Sequence, residues 1–320
     1  MDYFLQQLIN ALAIGSLYAL IALGYTMVYG VLRLINFAHG EVFMLGAFTG
    51  VYTASLLKGD RENQPFFLAF VGLLLAMAVC ALIGWLIERF AYRPLRKSSR
   101  LAALITAIGV SLLILNLANI EWTILGHKFF GPTPAQYPNI LLPFSETRTL
   151  SEHITFIQEV FGVRIIYKDI LLIGVTAIVL LLLWYVVRFT RRGQAMRAVS
   201  QNYDAARLMG ININATISFT FMLGSAMAAV GGVLYCIKNS QVQPTVGTLF
   251  GLKAFVAAVI GGIGNIPGAA LGGLTLGILE TIVAASGYSQ YTDAAVFVVL
   301  ILMLLVRPEG LFGKAVPEKV

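Results

Sequence analysis

Long apolar stretches alternate with short polar ones along almost the whole chain. About 20 consecutive apolar residues are enough to cross the hydrocarbon core of a bilayer as one helix. Stretches of this kind predict a series of membrane-spanning helices separated by loops. They lie near residues 8–31, 35–57, 66–88, 101–120, 167–188, 213–237 and 291–306.

The region from residue 251 to residue 286 is apolar almost throughout, but the sequence GNIPG interrupts it at Gly264–Gly268. We interpret this region as two short spans or a re-entrant pair, which makes roughly nine crossings in all. The sequence therefore predicts an all-α polytopic membrane protein with roughly 8–10 transmembrane helices, some broken or re-entrant. We expect one transmembrane domain over residues 1–320.

Composition supports a membrane protein. Hydrophobic residues make up 58% of the 320 positions and charged residues 12%, about half the charged fraction of an ordinary soluble domain. No Lys or Arg precedes the first apolar run and no small-residue cleavage pattern follows it, so we expect a retained span rather than a signal peptide. The net charge of +7 comes from basic residues beside the apolar runs, which favours the positive-inside rule over nucleic-acid binding.

Two basic loops set the expected orientation, because cytoplasmic loops carry an excess of Lys and Arg. Counting spans from them places the N-terminus and the segment 122–166 outside the cell. This external segment is rich in proline, which argues against a packed domain of its own, although EHITFIQEVF could form a short amphipathic element. The basic residues are Arg89, Arg93, Arg96, Lys97 and Arg100 in the first loop, and Arg188, Arg191, Arg192, Arg197 and Arg207 in the second.

The second basic loop, at residues 189–212, has a helical pattern. In RRGQAMRAVSQNYDAARLMGIN, apolar residues including Met196 and Ala206 recur at helical spacing, which predicts one or two short amphipathic helices. Asn202 is a plausible N-cap, and Gly210 is well placed to end the helix. The apolar stripe has no evident cover in its own sequence. We expect it to lie on the membrane surface or to dock into a groove of another protein.

Polar residues also occur inside an apolar region, in the stretch LINFAHGEVF. Asn36, His39 and Glu41 would each cost several kcal/mol if they faced hydrocarbon without a partner. One interpretation partners them inside the bundle near a translocation path. Another makes the stretch a gate or an interface. A competing assignment puts it at the cytoplasmic end of the second span, where water solvates it and Glu41 pairs with a basic residue.

GNIPG invites a similar interpretation. Pro267 interrupts the helix, and backbone groups freed at a break in the middle of the membrane are tolerated where they line a cavity. Gly264, Gly268 and Gly272 are spaced four apart, as are Gly273 and Gly277, which lets helices approach closely, so a role in packing alone is the alternative. Of the other charges in apolar stretches, Lys253 is expected to snorkel to the interface, whereas Glu280 lies deeper and could pair across helices.

Three stretches together resemble the permeases of branched-chain amino acid ABC importers, in particular the LivH-type subunit. They are LINFAHGEVFMLGAF, GLKAFVAAVIGGIGNIPGAALGG and the second basic loop, which resembles the coupling-loop signature of the family. The resemblance implies the fold of type II ABC importer permeases and an ATPase-coupling role for residues of that loop. From their polar residues and helix breaks we also expect a translocation path or gate at the other two stretches, together with Glu280. The coupling residues are Gly193, Met196, Arg197, Ala198, Asn202, Ala206 and Gly210; those of the path or gate are Asn36, Phe37, His39, Gly40, Glu41, Gly264, Asn265, Pro267, Gly268 and Glu280.

The partners implied by the resemblance are a second, LivM-like permease subunit, two ABC ATPase subunits, a periplasmic substrate-binding protein and the bacterial inner membrane. The chain has no G-x-x-x-x-G-K-[ST] motif, so we expect ATP and Mg²⁺ to bind to the partner ATPase and no cofactor in this chain. Permeases with similar sequences serve urea or short amides, which is the first alternative. A stand-alone ion-coupled transporter using His39, Glu41 and Glu280 is the second, and a membrane enzyme has no catalytic constellation in its support.

Overall fold

The computed structural model of the protein describes residues 2–58, 63–96, 98–124, 126–142, 149–152 and 164–313. These residues form a helical bundle with two very small sheets. A π-helical segment, Glu88–Tyr92, lies near the end of α3. The helices are α1 (Asp2–Leu32), α2 (His39–Lys58), α3 (Phe66–Leu95), α4 (Arg100–Ala118), α5 (Tyr167–Phe189), α6 (Arg191–Gln201), α7 (Tyr203–Leu208), α8 (Ile213–Asn239), α9 (Val246–Gly261), α10 (Ile266–Ala285) and α11 (Thr292–Val306), the last preceded by a 3₁₀ turn, Ser289–Tyr291.

Eight of these helical segments are long and apolar enough to cross a membrane. They are α1 to α5, α8, α10 and α11 with its 3₁₀ turn. Helix α9 is apolar but has only 16 residues, about 24 Å at the helical rise. With α9 the bundle has nine apolar helices within the described residues, which confirms the prediction of roughly 8–10.

The two ends of the bundle differ in charge. At one end, which we call the basic end, Arg33 donates a hydrogen bond to the carbonyl of Ser200 and Tyr203 donates one to the carbonyl of Val31. At the opposite end, the Tyr3 hydroxyl donates to the carbonyl of Ala285 at 3.2 Å. Helices α1 and α10 therefore run antiparallel, and the second basic loop lies at the end of α1.

The core of the bundle consists of α1, α2 and α8. Most of the apolar length of these helices is buried within the chain, whereas α3, α4, α5 and α11 expose most of theirs. Small residues bring α1 and α10 together: a Cβ added to Gly273 would lie 2.4 Å from the backbone nitrogen of Ala19, and one added to Gly277 would lie 2.4 Å from that of Gly15. The close approach predicted from glycine spacing is confirmed here.

The segment between α4 and α5 lies at the opposite end. Strands β1 (Trp122–Ile124) and β2 (His127–Phe130) form an antiparallel hairpin, and β3 (Ala135–Gln136) pairs with β4 (Gln241–Val242) just after α8. The segment is thus tied to the end of α8. Most of EHITFIQEVF, for which we predicted an amphipathic element, lies outside the described residues.

Candidate translocation and coupling sites

Helix α2 begins deep inside the bundle. Residues 33–38 have no helical structure and carry the chain back from the end of α1. The His39 imidazole then lies against Gly24, where an added Cβ would be 2.2 Å from Nε2, and Gly24 in turn touches Gly224 near the middle of α8. Gly24 precedes the end of α1 by eight residues, or about 12 Å along the helix. The N-terminus of α2 therefore lies about two helical turns inside the bundle, measured from the end of α1.

Asn36 is held by a hydrogen bond from a tyrosine of α3. The Tyr92 hydroxyl donates to Oδ1 of Asn36 at 3.1 Å, and the Asn36 carbonyl accepts a hydrogen bond from the backbone N–H of His39. The His39 ring meets the Tyr25 ring edge-on with centroids 4.7 Å apart, but neither ring nitrogen has a hydrogen-bond partner among the described residues. The prediction that these polar groups are partnered inside the bundle is thus confirmed for Asn36 and not for His39.

Glu41 binds two hydroxyl groups rather than a basic residue. Its Oε1 accepts from Thr248 at 2.8 Å and from Ser111 at 3.3 Å, and only 1% of the residue is exposed. The competing assignment, in which water solvates Glu41 at the end of a span and a basic residue pairs with it, is therefore wrong. A pocket of about 180 Å³ adjoins the carboxylate, and Phe37 and Gly247 contribute to its lining.

Close backbone packing fixes the position of Glu41. A Cβ added to Gly40 would lie 2.4 Å from the Gly247 carbonyl oxygen, and one added to Gly251 would lie 2.7 Å from the Gly40 Cα. Helices α2 and α9 therefore touch through their backbones at this point. Gly40, which we predicted as a path or gate residue, is the residue that makes this contact possible.

Glu280 belongs to a separate cluster of buried charges. Lys253 Nζ lies 2.7 Å from Glu280 Oε1 and 2.6 Å from Asp293 Oδ1, while the Tyr18 hydroxyl donates to Glu280 Oε2 at 2.7 Å. Pairing of Glu280 across helices is confirmed. Snorkelling of Lys253 is wrong, because the residue is 6% exposed and joins α9 to α10 and α11. The four residues lie far apart in the sequence, so no local pattern could have shown the cluster.

GNIPG forms the turn between α9 and α10 rather than a break in the middle of the membrane. The Asn265 side chain accepts a hydrogen bond from the Gly268 N–H and so caps α10, and Pro267 lies in the first turn of that helix, where its missing N–H has no consequence. The turn packs near Gly30 and against residues 310–313, at the basic end. It is thus apart from the start of α2, and its role as a gate stays a prediction.

The second basic loop folds as predicted into two short helices, α6 and α7. Asn202 caps α7, its Oδ1 accepting from the N–H groups of Asp204 and Ala205 at 2.9 and 3.0 Å. Gly210 follows α7 with a positive φ of 79°, a conformation that favours glycine. Burial raises the pKa of the Tyr203 phenol, and this effect is larger than the lowering by the positive charges of Arg96 and Arg33. The hydroxyl therefore keeps its proton and donates to α1.

The apolar stripe of these helices faces the bundle of the same chain. Met196, Val199 and Ala206 are buried, so the expectation that the stripe packs on the membrane surface or on another protein is wrong. Other helices of the same chain bury it. The Arg197 guanidinium donates to the carbonyls of Val187 and Arg188 at the end of α5, and Gly193 packs closely against the same turn.

The exposed apolar residues of this loop are others. Leu208 is 88% exposed and Met209 is 81% exposed, at the end of α7. Residues of the sequence signature thus hold α6 and α7 in place, whereas Leu208 and Met209 present apolar surface at the basic end. Glu88, which binds Arg96 and Ser218 at the base of α3, and the partners of Glu41 and Glu280 were also missed by sequence reasoning.

Comparison with known proteins gives full-length matches. A family model described as branched-chain amino acid transport system / permease component matches residues 7–306. The chain is 40% identical over 321 residues to the high-affinity branched-chain amino acid transport system permease protein LivH of Escherichia coli K12, covering 99% of this chain and 98% of that one. It is 40% identical over 318 residues to the permease protein BraD of Pseudomonas aeruginosa, with the same coverage. A probable LivH of Methanocaldococcus jannaschii is 27% identical over 315 residues, with coverages of 95% and 91%.

Proposed function

Because the chain belongs to the family of permease components of branched-chain amino acid transport systems, we propose that it is a transmembrane permease subunit of an ATP-driven importer of leucine, isoleucine and valine. The 40% identity over nearly the whole length of this chain and of its bacterial relatives carries this proposal. The members of the family are transport components rather than enzymes.

The complete importer in this proposal has four other protein subunits: a second, LivM-like permease subunit, two ABC ATPase subunits and an external substrate-binding protein. It lies in the bacterial inner membrane. The basic end is cytoplasmic, because basic loops stay on that side, and the segment 122–166 faces the binding protein. Binding and hydrolysis of ATP in the partner subunits rock the two permeases for alternating access.

The path in this proposal passes the start of α2. Asn36, Phe37, His39, Gly40 and Glu41 lie there at mid-depth, where polar groups in a membrane bundle usually serve transport. The turn at the basic end, with Gly264, Asn265, Pro267 and Gly268, is the cytoplasmic gate. Glu280 joins the helices on the outer side of that gate through its pair with Lys253.

Coupling to the ATPase uses α6 and α7. The signature residues Gly193, Met196, Arg197, Ala198, Asn202, Ala206 and Gly210 build the helix pair, and Leu208 and Met209 enter a groove of the ATPase. Support comes from their exposure at the end of the capped helix α7, which is fixed to α1 through Tyr203, while the preceding α6 is fixed to α5 through Arg197. Exposed apolar patches rimmed by polar residues mark interaction sites.

The test uses the complex purified with its copurifying subunits and reconstituted in liposomes. We expect a leucine-loaded binding protein to stimulate ATP hydrolysis and uptake. The double variant Leu208→Ser, Met209→Ser loses about tenfold or more of that stimulation. The control Leu101→Ser, at an exposed site at the start of α4 that belongs neither to the coupling helices nor to the gate, retains it.

Three results would contradict parts of this proposal. Full stimulation in the double variant would remove Leu208 and Met209 from the coupling surface. If only a urea-loaded or amide-loaded binding protein stimulates ATP hydrolysis, the proposed substrate is wrong but the importer function stands. Uptake driven by an ion gradient without ATP or any other subunit would replace the importer by a stand-alone carrier.

A further inference from the structure

The pocket beside Glu41 has one polar side and mostly apolar walls. Glu41, Ser111 and Thr248 supply polar side chains from α2, α4 and α9, and Tyr25 of α1 adds a phenol, while Phe37 and Leu112 are among the apolar residues. Its volume of about 180 Å³ equals that of about six water molecules in the liquid. A small organic molecule fits such a space.

The Glu41 carboxylate is incompletely partnered. Oε1 accepts both hydroxyl hydrogen bonds, and Oε2 is buried with no donor among the described residues. Gly247 leaves room beside it, since a Cβ there would lie 2.6 Å from Oε2. A buried carboxylate oxygen without a donor is costly, and no Lys or Arg lines the pocket. Oε2 is therefore available to accept a hydrogen bond from a molecule in the pocket.

The three oxygen-bearing side chains match the donors of an ammonium group. Each hydroxyl donates its one hydrogen to Oε1 and keeps lone pairs that accept, and the carboxylate accepts at Oε2. Ser111, Thr248 and Glu41 together therefore offer three acceptors, and a primary ammonium has three N–H donors. Glu41 also lies in the first turn of α2, where the helix dipole stabilises a negative charge.

We propose that Glu41, Ser111 and Thr248 receive the ammonium group of the amino acid in transit, with its aliphatic side chain against Phe37, Ile108 and Leu112. This inference rests on the proposed function, because it takes the substrate of that transport path. Beyond that function, it assigns the binding site of the ammonium group and includes Ser111 and Thr248, which no sequence motif indicated.

The experiment measures leucine uptake and ATP hydrolysis together in liposomes that contain the complete importer. Glu41→Gln, which keeps the size of the side chain and removes its charge, lowers the leucine transported per ATP about tenfold or more. Ser111→Ala and Thr248→Ala each lower that ratio a few-fold. The matched control is Thr49→Ala, because the Thr49 hydroxyl bonds only to the Leu45 carbonyl of its own helix.

A damaged fold would reduce ATP hydrolysis and uptake alike, so the ratio separates recognition from structure. A second measurement needs no variant: photo-leucine, carried in by the binding protein, is cross-linked in the wild-type importer, and labelled peptides are mapped by mass spectrometry. We expect label on peptides from α2, α4 and α9.

An unchanged ratio in Glu41→Gln, or label confined to other helices, overturns the ammonium site while wild-type leucine uptake upholds the importer. Absence of ATP-dependent leucine uptake in the wild type instead overturns the proposed function, and the ammonium site falls with it.

Discussion

Replacing Lys253 by Met should strongly destabilise the protein. Lys253 is the only cation in contact with Glu280 and Asp293 among the described residues, at 2.7 and 2.6 Å. The Glu280 side chain is 9% exposed, so water cannot replace the lost partner, whereas the Asp293 side chain is 50% exposed and can be hydrated. The cost therefore falls on Glu280.

Removing one member of a buried ion pair typically costs about 3–5 kcal/mol. The unfolding entropy of a 320-residue chain corresponds to about 1.5 °C of melting temperature for each kcal/mol, so the Lys253→Met midpoint should fall by about 4–8 °C. The Tyr18 hydrogen bond to Glu280 remains in this variant and keeps the loss from being larger.

The double variant Lys253→Met, Glu280→Gln removes both charges of the buried pair. It should recover most of the lost stability, since a neutral polar side chain is far less costly to bury than an unpaired carboxylate. The matched control is Lys128→Met, because Lys128 pairs with Glu121 at the surface, with 45% and 63% of the side chains exposed. A surface pair contributes about 1 kcal/mol or less.

Thermal unfolding of the wild type, Lys253→Met, Glu280→Gln, the double variant and Lys128→Met in the same detergent gives the comparison. The reasoning fails if Lys253→Met melts within about 1.5 °C of Lys128→Met, an interval of about 1 kcal/mol. It also fails if the losses of the two single variants at positions 253 and 280 simply add in the double variant, because additive losses mean that the two residues do not interact.

Two further predictions concern packing and capping. Gly273→Ala should destabilise the bundle by about 1–3 kcal/mol, because the new methyl group meets the backbone of α1. The control is Gly109→Ala, where nothing lies within 4 Å of the new methyl group. Equal melting temperatures for the two variants would contradict the close approach of α1 and α10. Asn202→Ala should cost about 1 kcal/mol of α7 stability and lower binding-protein-stimulated ATP hydrolysis, and Asn202→Asp should restore both; wild-type stimulation in the alanine variant would show that the cap is not needed for coupling.

The sequence by itself determined the class of the protein and most of its helices. The apolar runs specify membrane spans because the bilayer fixes both the length and the composition of a spanning helix. The basic loops determined which ends of the spans lie together, and Asn202 and Gly210 specified the start and end of α7 because capping depends on neighbouring residues alone. Three motifs sufficed to indicate the family.

Only the tertiary structure decided which polar residues meet. The apolar character of Lys253's surroundings predicted snorkelling, but its partners Glu280 and Asp293 arrive from helices distant in sequence. In the same way, Ser111 and Thr248 carry no signal of their own and become significant through Glu41. Side-chain pairing across helices depends on rotation and depth, which a pattern along one helix does not contain.

Depth also separated the two glycine-containing motifs. Both follow an apolar run and both contain an Asn before a Gly, yet NFAHG enters the middle of the bundle and GNIPG turns at its basic end. The difference arises because residues 33–38 run back along α1 without helical structure before α2 begins, whereas only four residues separate the end of α9 from the start of α10. Local sequence determines that a helix stops; the packing of the whole bundle determines where in the membrane the next one starts.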